Sequence, residues 1–317
     1  MDEVRRFDMS VLSDFSQALA GTVQSAGTSV VRVEGRRRIP ASGIVWSADG
    51  LIVTAHHVVE TDEGIQVGLP DGETVAAELV GRDHTTDLAL LRTQSTGLSA
   101  PTWLEADNVR VGHLVLALGR PGESVLATMG IVSALNGGWR TPAGGMLDNY
   151  LQTDVVMYPG FSGGPLVDVE GRVVGLNTSG LLRGVSLTIG VKSLRQISDM
   201  LLKHGRVRRG YLGVSAQPVR LPAVAQAELS REVGLLLVSV EPDSPAEKGG
   251  LMLGDVIIGI EDGAVQTLDD LMAGLSGDRI GKPTRMTVLR GGVKTDVTVE
   301  PGERPEWRPR WRRGSRG

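Results

Sequence analysis

Ser42-Gly43-Ile44-Val45-Trp46-Ser47 and Leu51-Ile52-Val53-Thr54 are two short apolar runs divided by Ala48-Asp49-Gly50. Runs of four to six residues rich in Val and Ile, broken by an Asp-Gly turn, are the pattern of paired β-strands, because they are too short to form a stable helix. The same texture extends to both sides. Ser29–Glu34, Gln66–Leu69, Val75–Gly81 and Leu88–Arg92 complete a set of six expected strands, separated by Gly, Asp or Pro. A second six follows at Leu114–Leu118, Val125–Leu135, Tyr150–Thr153, Pro165–Val169, Arg172–Asn177 and Ser186–Val191. Evenly spaced short strands with almost no helix between them predict a sandwich or a pair of barrels rather than βαβ units.

Composition agrees with a turn-rich fold. Glycine supplies 43 of 317 residues, about twice its usual share of ~7%, yet without a G-X-Y period, so collagen is excluded. Only five Trp, three Tyr and three Phe are present, which leaves Val, Leu, Ile and Ala to fill the cores. The length suits two domains. Residues 9–24 carry Leu12, Phe15 and Leu19 at helical spacing, and Ser193–His204 returns to that spacing with Leu194, Ile197 and Leu201. Arg206, Arg208 and Arg209 then mark a polar linker. The expected organisation is a helical segment over 1–27, a first domain over 28–205, a smaller α+β unit over 206–302 and a basic, disordered tail over 303–317. In the smaller unit Gly234–Val240 and Met286–Arg290 read as strands, with helices at Ser244–Gly249 and Leu268–Leu275.

The net charge is −4. The last fifteen residues hold six Arg against two Glu, so the body before them is acidic and nucleic acid is not an expected partner. No apolar run approaches the ~18 residues of a membrane span. Asp2, Glu3, Asp8 and Asp14 interrupt the N-terminus where a signal peptide needs an apolar core, so a cytoplasmic location is expected, with an extracytoplasmic one as the alternative if an export signal was removed. There is no cysteine, hence neither disulfides nor thiolate metal sites. Nucleotide-binding glycine loops and the H-E-x-x-H zinc motif are absent from the sequence, and neither cofactor nor metal is expected.

Three stretches carry chemistry. Tyr158-Pro159-Gly160-Phe161-Ser162-Gly163-Gly164-Pro165-Leu166 sets one serine among glycines that let backbone N–H groups converge, as an oxyanion hole requires. Thr54-Ala55-His56-His57-Val58-Val59 presents an imidazole at a strand end, where at most one of the two histidines can serve. Asp87-Leu88-Ala89-Leu90-Leu91 places an acid directly before an apolar strand, while Asp83 and His84 read as turn residues. A base, an acid and a nucleophile in the order His57, Asp87, Ser162 follow the chymotrypsin order of such triads.

The ordered set Ser42-Gly43-Ile44-Val45-Trp46, His57-Val58-Val59, Asp87-Leu88-Ala89-Leu90-Leu91, Gln152-Thr153-Asp154, Ser162-Gly163-Gly164-Pro165-Leu166 and Gly175-Leu176-Asn177-Thr178 resembles the HtrA/Deg serine proteases. The resemblance implies a mainly β protein, a chymotrypsin-like double β-barrel followed by a PDZ domain. It assigns the base to His57, the orienting acid to Asp87 and the nucleophile to Ser162. Gly160, Phe161 and Ser162 become the backbone of the oxyanion hole, and Asn177, Thr178, Ser179 and Gly180 the wall of the specificity pocket, one suited to small or medium apolar side chains. Tyr211-Leu212-Gly213-Val214 becomes the PDZ loop that captures a peptide's terminal carboxylate. Unfolded polypeptides are the implied substrates, C-terminal peptides the PDZ ligands, protein quality control the role and a homotrimer the assembly. One departure stands out. Phe161 and Tyr158 occupy positions where the family usually has Asn, so a protease-inactive PDZ-bearing chaperone or scaffold is the alternative expectation.

Overall fold

The structure, a computed structural model, describes residues 9–304 apart from 38, 105–107, 183 and 230. The chain divides into two compact units between Val207 and Arg208.

The first unit opens with helix α1 (Met9–Ala26) and continues into a closed barrel of β1 (Val30–Glu34), β2 (Ala41–Ser47), β3 (Leu51–Ala55), β4 (Ile65–Gly68), β5 (Thr74–Asp83) and β6 (Leu88–Thr93), in the order β1-β2-β3-β6-β5-β4. Ser42–Ser47 and Leu51–Thr54 lie in the β2–β3 hairpin, with Gly43 opposite Thr54 and Val45 opposite Ile52. A second closed barrel joins β7 (Leu114–Gly119), β8 (Leu126–Asn136), β11 (Tyr150–Thr153), β12 (Pro165–Asp168), β13 (Val173–Thr178) and β14 (Leu187–Gly190) in the order β11-β14-β13-β12-β7-β8, with a small ladder of β9 (Trp139–Arg140) and β10 (Met146–Leu147) beside it. The twelve principal strands expected from the sequence are all present, with ends displaced by at most two residues.

Several strands have no exposed residue at all, among them β3, β12, β13 and β14. Helix α2 (Val191–His204) explains part of this. It contacts β5 and β6 of the first barrel and β13 and β14 of the second, and it buries Leu194, Ile197 and Leu201. Each such side chain contributes about 1.5–3 kcal/mol when fully removed from water, so α2 bolts one barrel to the other. No disulfide assists, since the chain has no cysteine.

The second unit is a sheet in the order β16-β17-β18-β20-β21, from β16 (Val214–Arg220), β17 (Val233–Val240), β18 (Val256–Ile260), β20 (Thr284–Arg290) and β21 (Val293–Val299), with β19 (Gly263–Ala264) paired to β18. Helices α3 (Ala223–Leu229), α4 (Pro245–Lys248) and α5 (Leu268–Leu275) flank it, α5 opening on a Thr267/Asp270 capping box. A separate ladder pairs β15 (Gly210–Tyr211) with β22 (Gly302–Glu303), so Glu303, expected to begin a disordered tail, is a strand residue. Residues 305–317 lie outside the described residues, as do 1–8 of the expected N-terminal segment. Inside the unit Asp255 accepts from Nε and Nη2 of Arg290 and from the Met252 N–H. Burial alone would raise its pKa, but Arg290 and the Met252 amide hold the carboxyl below its ordinary range.

Candidate active site

His57 and Asp87 come together at the edge of the first barrel. His57 lies in the short turn His56–Val58 that follows β3, and Asp87 immediately precedes β6, the neighbour of β3 in the sheet. Asp87 has a φ of +57°, a conformation rarely adopted by non-glycine residues. The geometry turns both its backbone and its side chain onto the histidine turn. Its carbonyl accepts the His56 N–H at 3.0 Å, Oδ1 accepts the His57 backbone N–H at 2.9 Å and Oδ2 meets His57 Nδ1 at 2.8 Å. Thr178 of the second barrel donates a further short hydrogen bond to Oδ2. The carboxylate is thus nearly excluded from water yet hydrogen-bonded at both oxygens, which offsets the cost of burying it. With Nδ1–H committed to Asp87, Nε2 is left as the acceptor, the tautomer a general base needs.

His56, the neighbouring histidine, is not a second base. Its ring is largely buried, its Nδ1 has no hydrogen-bond partner, and burial pushes its pKa below the ordinary histidine value, with Asp87 opposing that shift.

Ser162 follows a turn in which Phe161 N–H donates to Tyr158 O at 3.0 Å. Gly160, third in that turn, has a φ of +95°, which only glycine adopts without strain. Among the described residues the N–H groups of Gly160 and Ser162 have no acceptor, whereas that of Phe161 is spent on the turn. Two amides therefore remain for an oxyanion, at Gly160 and Ser162, and Phe161 drops out of the expected donor set. The Ser162 Oγ lies 3.1 Å from Ser179 Oγ. Among the described residues no hydrogen bond joins it to His57.

The two aromatics behave differently from what their place beside the nucleophile suggested. The Phe161 ring is fully buried in the second barrel's core, in a cluster with Leu104, Val115, Leu151 and Leu166. Tyr158 is exposed and meets it edge-on at 5.8 Å between centroids. Phe161 is a core residue whose side chain points away from the catalytic groups.

The segment expected to wall a specificity pocket has side-chain bonds of its own. Asn177 is buried and bonds Pro165 O and Thr188; Thr178 holds Asp87; Ser179 holds Ser162. A Cβ on Gly180 would sit 2.5 Å from Asp87 Oδ2 and 2.7 Å from His57 Nδ1. The side chains of Asn177, Thr178 and Ser179 thus bond the barrel, Asp87 and Ser162, and Gly180 packs against the Asp87–His57 pair. Sequence reading missed this support, and it also took Asp83 for a turn residue, although Asp83 is buried and accepts from Thr85 and Thr86.

A model of the trypsin-like peptidase domain matches residues 41–176, and a PDZ-domain model matches 210–300. A solved structure described as the HtrA-type protease AlgW with tripeptide superposes with a TM-score of 0.76 at 34% identity, covering 91% of this chain and 98% of that one. The chain belongs to the HtrA/Deg family of serine proteases. The serine endoprotease of Yersinia pestis is similar to this HtrA/Deg chain at TM-score 0.74 and 30% identity, over 92% and 98% of the two chains. Probable periplasmic DegP-like serine endoproteases of Halomonas elongata and Ectopseudomonas mendocina are 36% and 38% identical, over 85% and 84% of this chain and 58% and 56% of theirs. The chain thus spans a little over half the length of the curated HtrA/Deg relatives it matches. Their periplasmic naming overturns the cytoplasmic expectation. An export signal is a local segment that is removed from the mature protein, so the composition of the first residues carries no weight on the compartment.

In the second unit Tyr211–Val214 lead into β16, which among the described residues pairs with β17 alone and has its other edge free beside α5. Leu212 O and Gly213 O accept from Ala246 and Glu241, at 2.9 and 2.8 Å, while the Leu212 and Gly213 N–H groups have no acceptor among the described residues. An open edge strand headed by free amides suits a peptide that adds as a strand and ends in a carboxylate.

Proposed function

We propose that the chain is an extracytoplasmic serine endopeptidase that cleaves unfolded polypeptides by acyl transfer, in protein quality control. The observation that carries this reading is the Asp87–His57 pair, with the carboxylate on the imidazole's Nδ1, together with a serine, Ser162, whose own N–H and that of Gly160 are free among the described residues. Ser162 Oγ attacks the scissile carbonyl as His57 Nε2 takes its proton. The C–O double bond opens onto the oxyanion, held by the Gly160 and Ser162 N–H groups. His57 then protonates the leaving amine, and water repeats the sequence on the acyl ester. Asp87 steadies the imidazolium throughout, supported by Thr178.

The PDZ unit binds C-terminal peptides along β16 and regulates the protease, and the assembly is a homotrimer. Burial of the Phe161 ring in the barrel core removes the main reason for preferring an inactive scaffold. The test is labelling by a fluorophosphonate and degradation of a denatured protein, with and without a PDZ-binding peptide. Both activities are expected in the native chain and to vanish in Ser162→Ala; hydrolysis that survives this substitution overturns the assignment, and a peptide without effect on rate overturns the regulation. Native mass measurement reads the trimer directly.

A further inference from the structure

Ser42, in β2, is fully buried and touches the oxyanion loop twice. Its hydroxyl donates to Gly160 O at 2.6 Å, and its backbone N–H donates to Ser162 O at 3.2 Å. The consequence appears when the loop is followed one peptide at a time. The Gly160–Phe161 peptide is fixed at both ends, its carbonyl by Ser42 Oγ and its N–H by Tyr158 O. The Ser162–Gly163 peptide is likewise fixed, its carbonyl by Ser42 N and its N–H by Asn177 O at 2.8 Å. Between them, the Phe161–Ser162 peptide has its carbonyl held by Gly164 N–H at 2.9 Å and its N–H free. The clamped planes on either side set the Ser162 N–H, and the Gly160 carbonyl held by Ser42 anchors the residue whose N–H is the second free amide.

A serine hydroxyl has one proton and can rotate. What directs it here is Arg120, whose backbone N–H donates to Ser42 Oγ at 2.7 Å and so leaves the hydroxyl proton for Gly160 O. The Arg120 side chain is itself buried. Its guanidinium donates to Val30 O at 2.7 Å, Gly27 O at 3.0 Å and Glu123 O at 2.5 Å. Gly27 and Val30 belong to the turn that joins α1 to β1. All three of these acceptors are carbonyls, and burial lowers the arginine's pKa. A buried cation balanced only by carbonyls is costly for stability alone. An arginine kept there holds the root of α1 and the end of β7 in one register.

We infer that Ser42 and Arg120 are positioning residues for the oxyanion hole, Ser42 by fixing the loop's peptide planes and Arg120 by tying Ser42 to the turn between α1 and β1. Neither touches substrate. Because the hole acts only when charge has moved onto oxygen, loss of alignment lowers kcat and spares KM.

This inference rests on the proteolytic reading above, and the experiment separates the two. Full-length native, Ser42→Ala and Arg120→Met chains are titrated for active sites with a fluorophosphonate and assayed on a peptide substrate. Each is then alkylated with a peptide chloromethyl ketone enriched in ¹³C at its carbonyl, whose hemiketal with Ser162 places an oxyanion in the hole. In Ser42→Ala, kcat per titrated site is expected to fall about 10–100-fold with KM within about twofold, since loss of a whole donor costs ~10²–10³. The ¹³C-detected ionisation of the hemiketal is expected to rise by about one to two pH units. Arg120→Met moves both readouts the same way, by about three- to tenfold in kcat, and carries the test alone if Ser42→Ala does not fold. Variants that melt at lower temperature while kcat per site and hemiketal ionisation stay at native values overturn the inference and leave the protease reading intact. A native chain that neither labels nor hydrolyses overturns both.

Discussion

Ser162 Oγ lies 3.1 Å from Ser179 Oγ, a bond in which either hydroxyl can donate. When Ser162 is the donor, its proton points away from His57 and acylation must break the bond first. A neutral hydrogen bond has a net worth of about 0.5–1.5 kcal/mol, and ~1.4 kcal/mol is tenfold in rate. Ser179→Ala is therefore expected to raise the fluorophosphonate labelling rate about two- to tenfold, with KM for a peptide substrate unchanged. Slower labelling in the variant would mean that the second hydroxyl assists the nucleophile instead of restraining it.

Asp87 holds the imidazole through Oδ2 and its turn through Oδ1. Asn at this position preserves the shape but offers Nδ2–H groups that favour the wrong imidazole tautomer. The expected result for Asp87→Asn is a fall in kcat of about 10⁴, measured by steady-state kinetics, with a far-UV circular dichroism spectrum like the native one. Thr178→Val, which removes one donor from Oδ2, is expected to lower kcat by about tenfold; a native rate in that variant would exclude Thr178 from the support of the acid.

Gly180 packs against the same pair, with no room for a Cβ beside Asp87 Oδ2 and His57 Nδ1. Gly180→Ala is expected to displace the imidazole by a fraction of an ångström to an ångström, and misplacement on that scale costs about 10²-fold in kcat. Thermal unfolding is the control. An activity loss accompanied by a native melting temperature identifies displacement of the imidazole as the cause.

The barrels were legible in the sequence because each strand carries its own signal: Ile44-Val45-Trp46 and Leu51-Ile52-Val53 are apolar throughout and bounded by turn residues. The PDZ unit was less legible. Val214–Arg220 contains Pro218 and the polar Ser215, Gln217 and Arg220, and Val293–Val299 is interrupted by Lys, Thr and Asp; these are edge strands of the sheet, where one side faces water and propensity is weak. His57, Asp87 and Ser162 could be singled out as candidate base, acid and nucleophile from residue type and order. Ser42, Arg120 and Thr178 could not, because their roles arise from contacts across 118, 78 and 91 positions of chain. Phe161 shows the same limit in reverse: its place beside Ser162 suggested interference, and only the direction of the side chain reveals a core residue.

His56 carries a pH dependence of stability. Burial lowers its folded-state pKa below the unfolded value of about 6.5, so above that value both states are neutral and the residue contributes no slope. As pH falls through about 6.5 the unfolded chain binds a proton that the folded chain refuses, and stability declines with acidification. Urea unfolding at pH 7.5 and 5.0 is expected to show a loss that is smaller in His56→Phe. An identical slope in the variant would assign the acid sensitivity to other groups.

Capture of a terminal carboxylate by the Leu212 and Gly213 amides makes a prediction with two arms. The pair sits beside Glu241, whose N–H bonds Gly213 O and whose side chain is held by the Tyr211 hydroxyl at 2.5 Å; the same bond raises the tyrosine's pKa. A peptide that ends in a carboxylate meets both the free amides and this like charge, whereas its C-terminal amide meets neither as a charge. Calorimetry is expected to give at least about tenfold weaker binding for the amidated peptide, since charge-assisted bonds are worth roughly twice neutral ones. Glu241→Gln is expected to tighten the free-acid peptide about two- to fivefold, a modest effect because the side chain is exposed, and to leave the amidated peptide unchanged. Equal affinity of the two peptides for the native chain would place the peptide terminus away from Leu212 and Gly213, and an equal gain for both in Glu241→Gln would show that the variant alters the groove and not its charge.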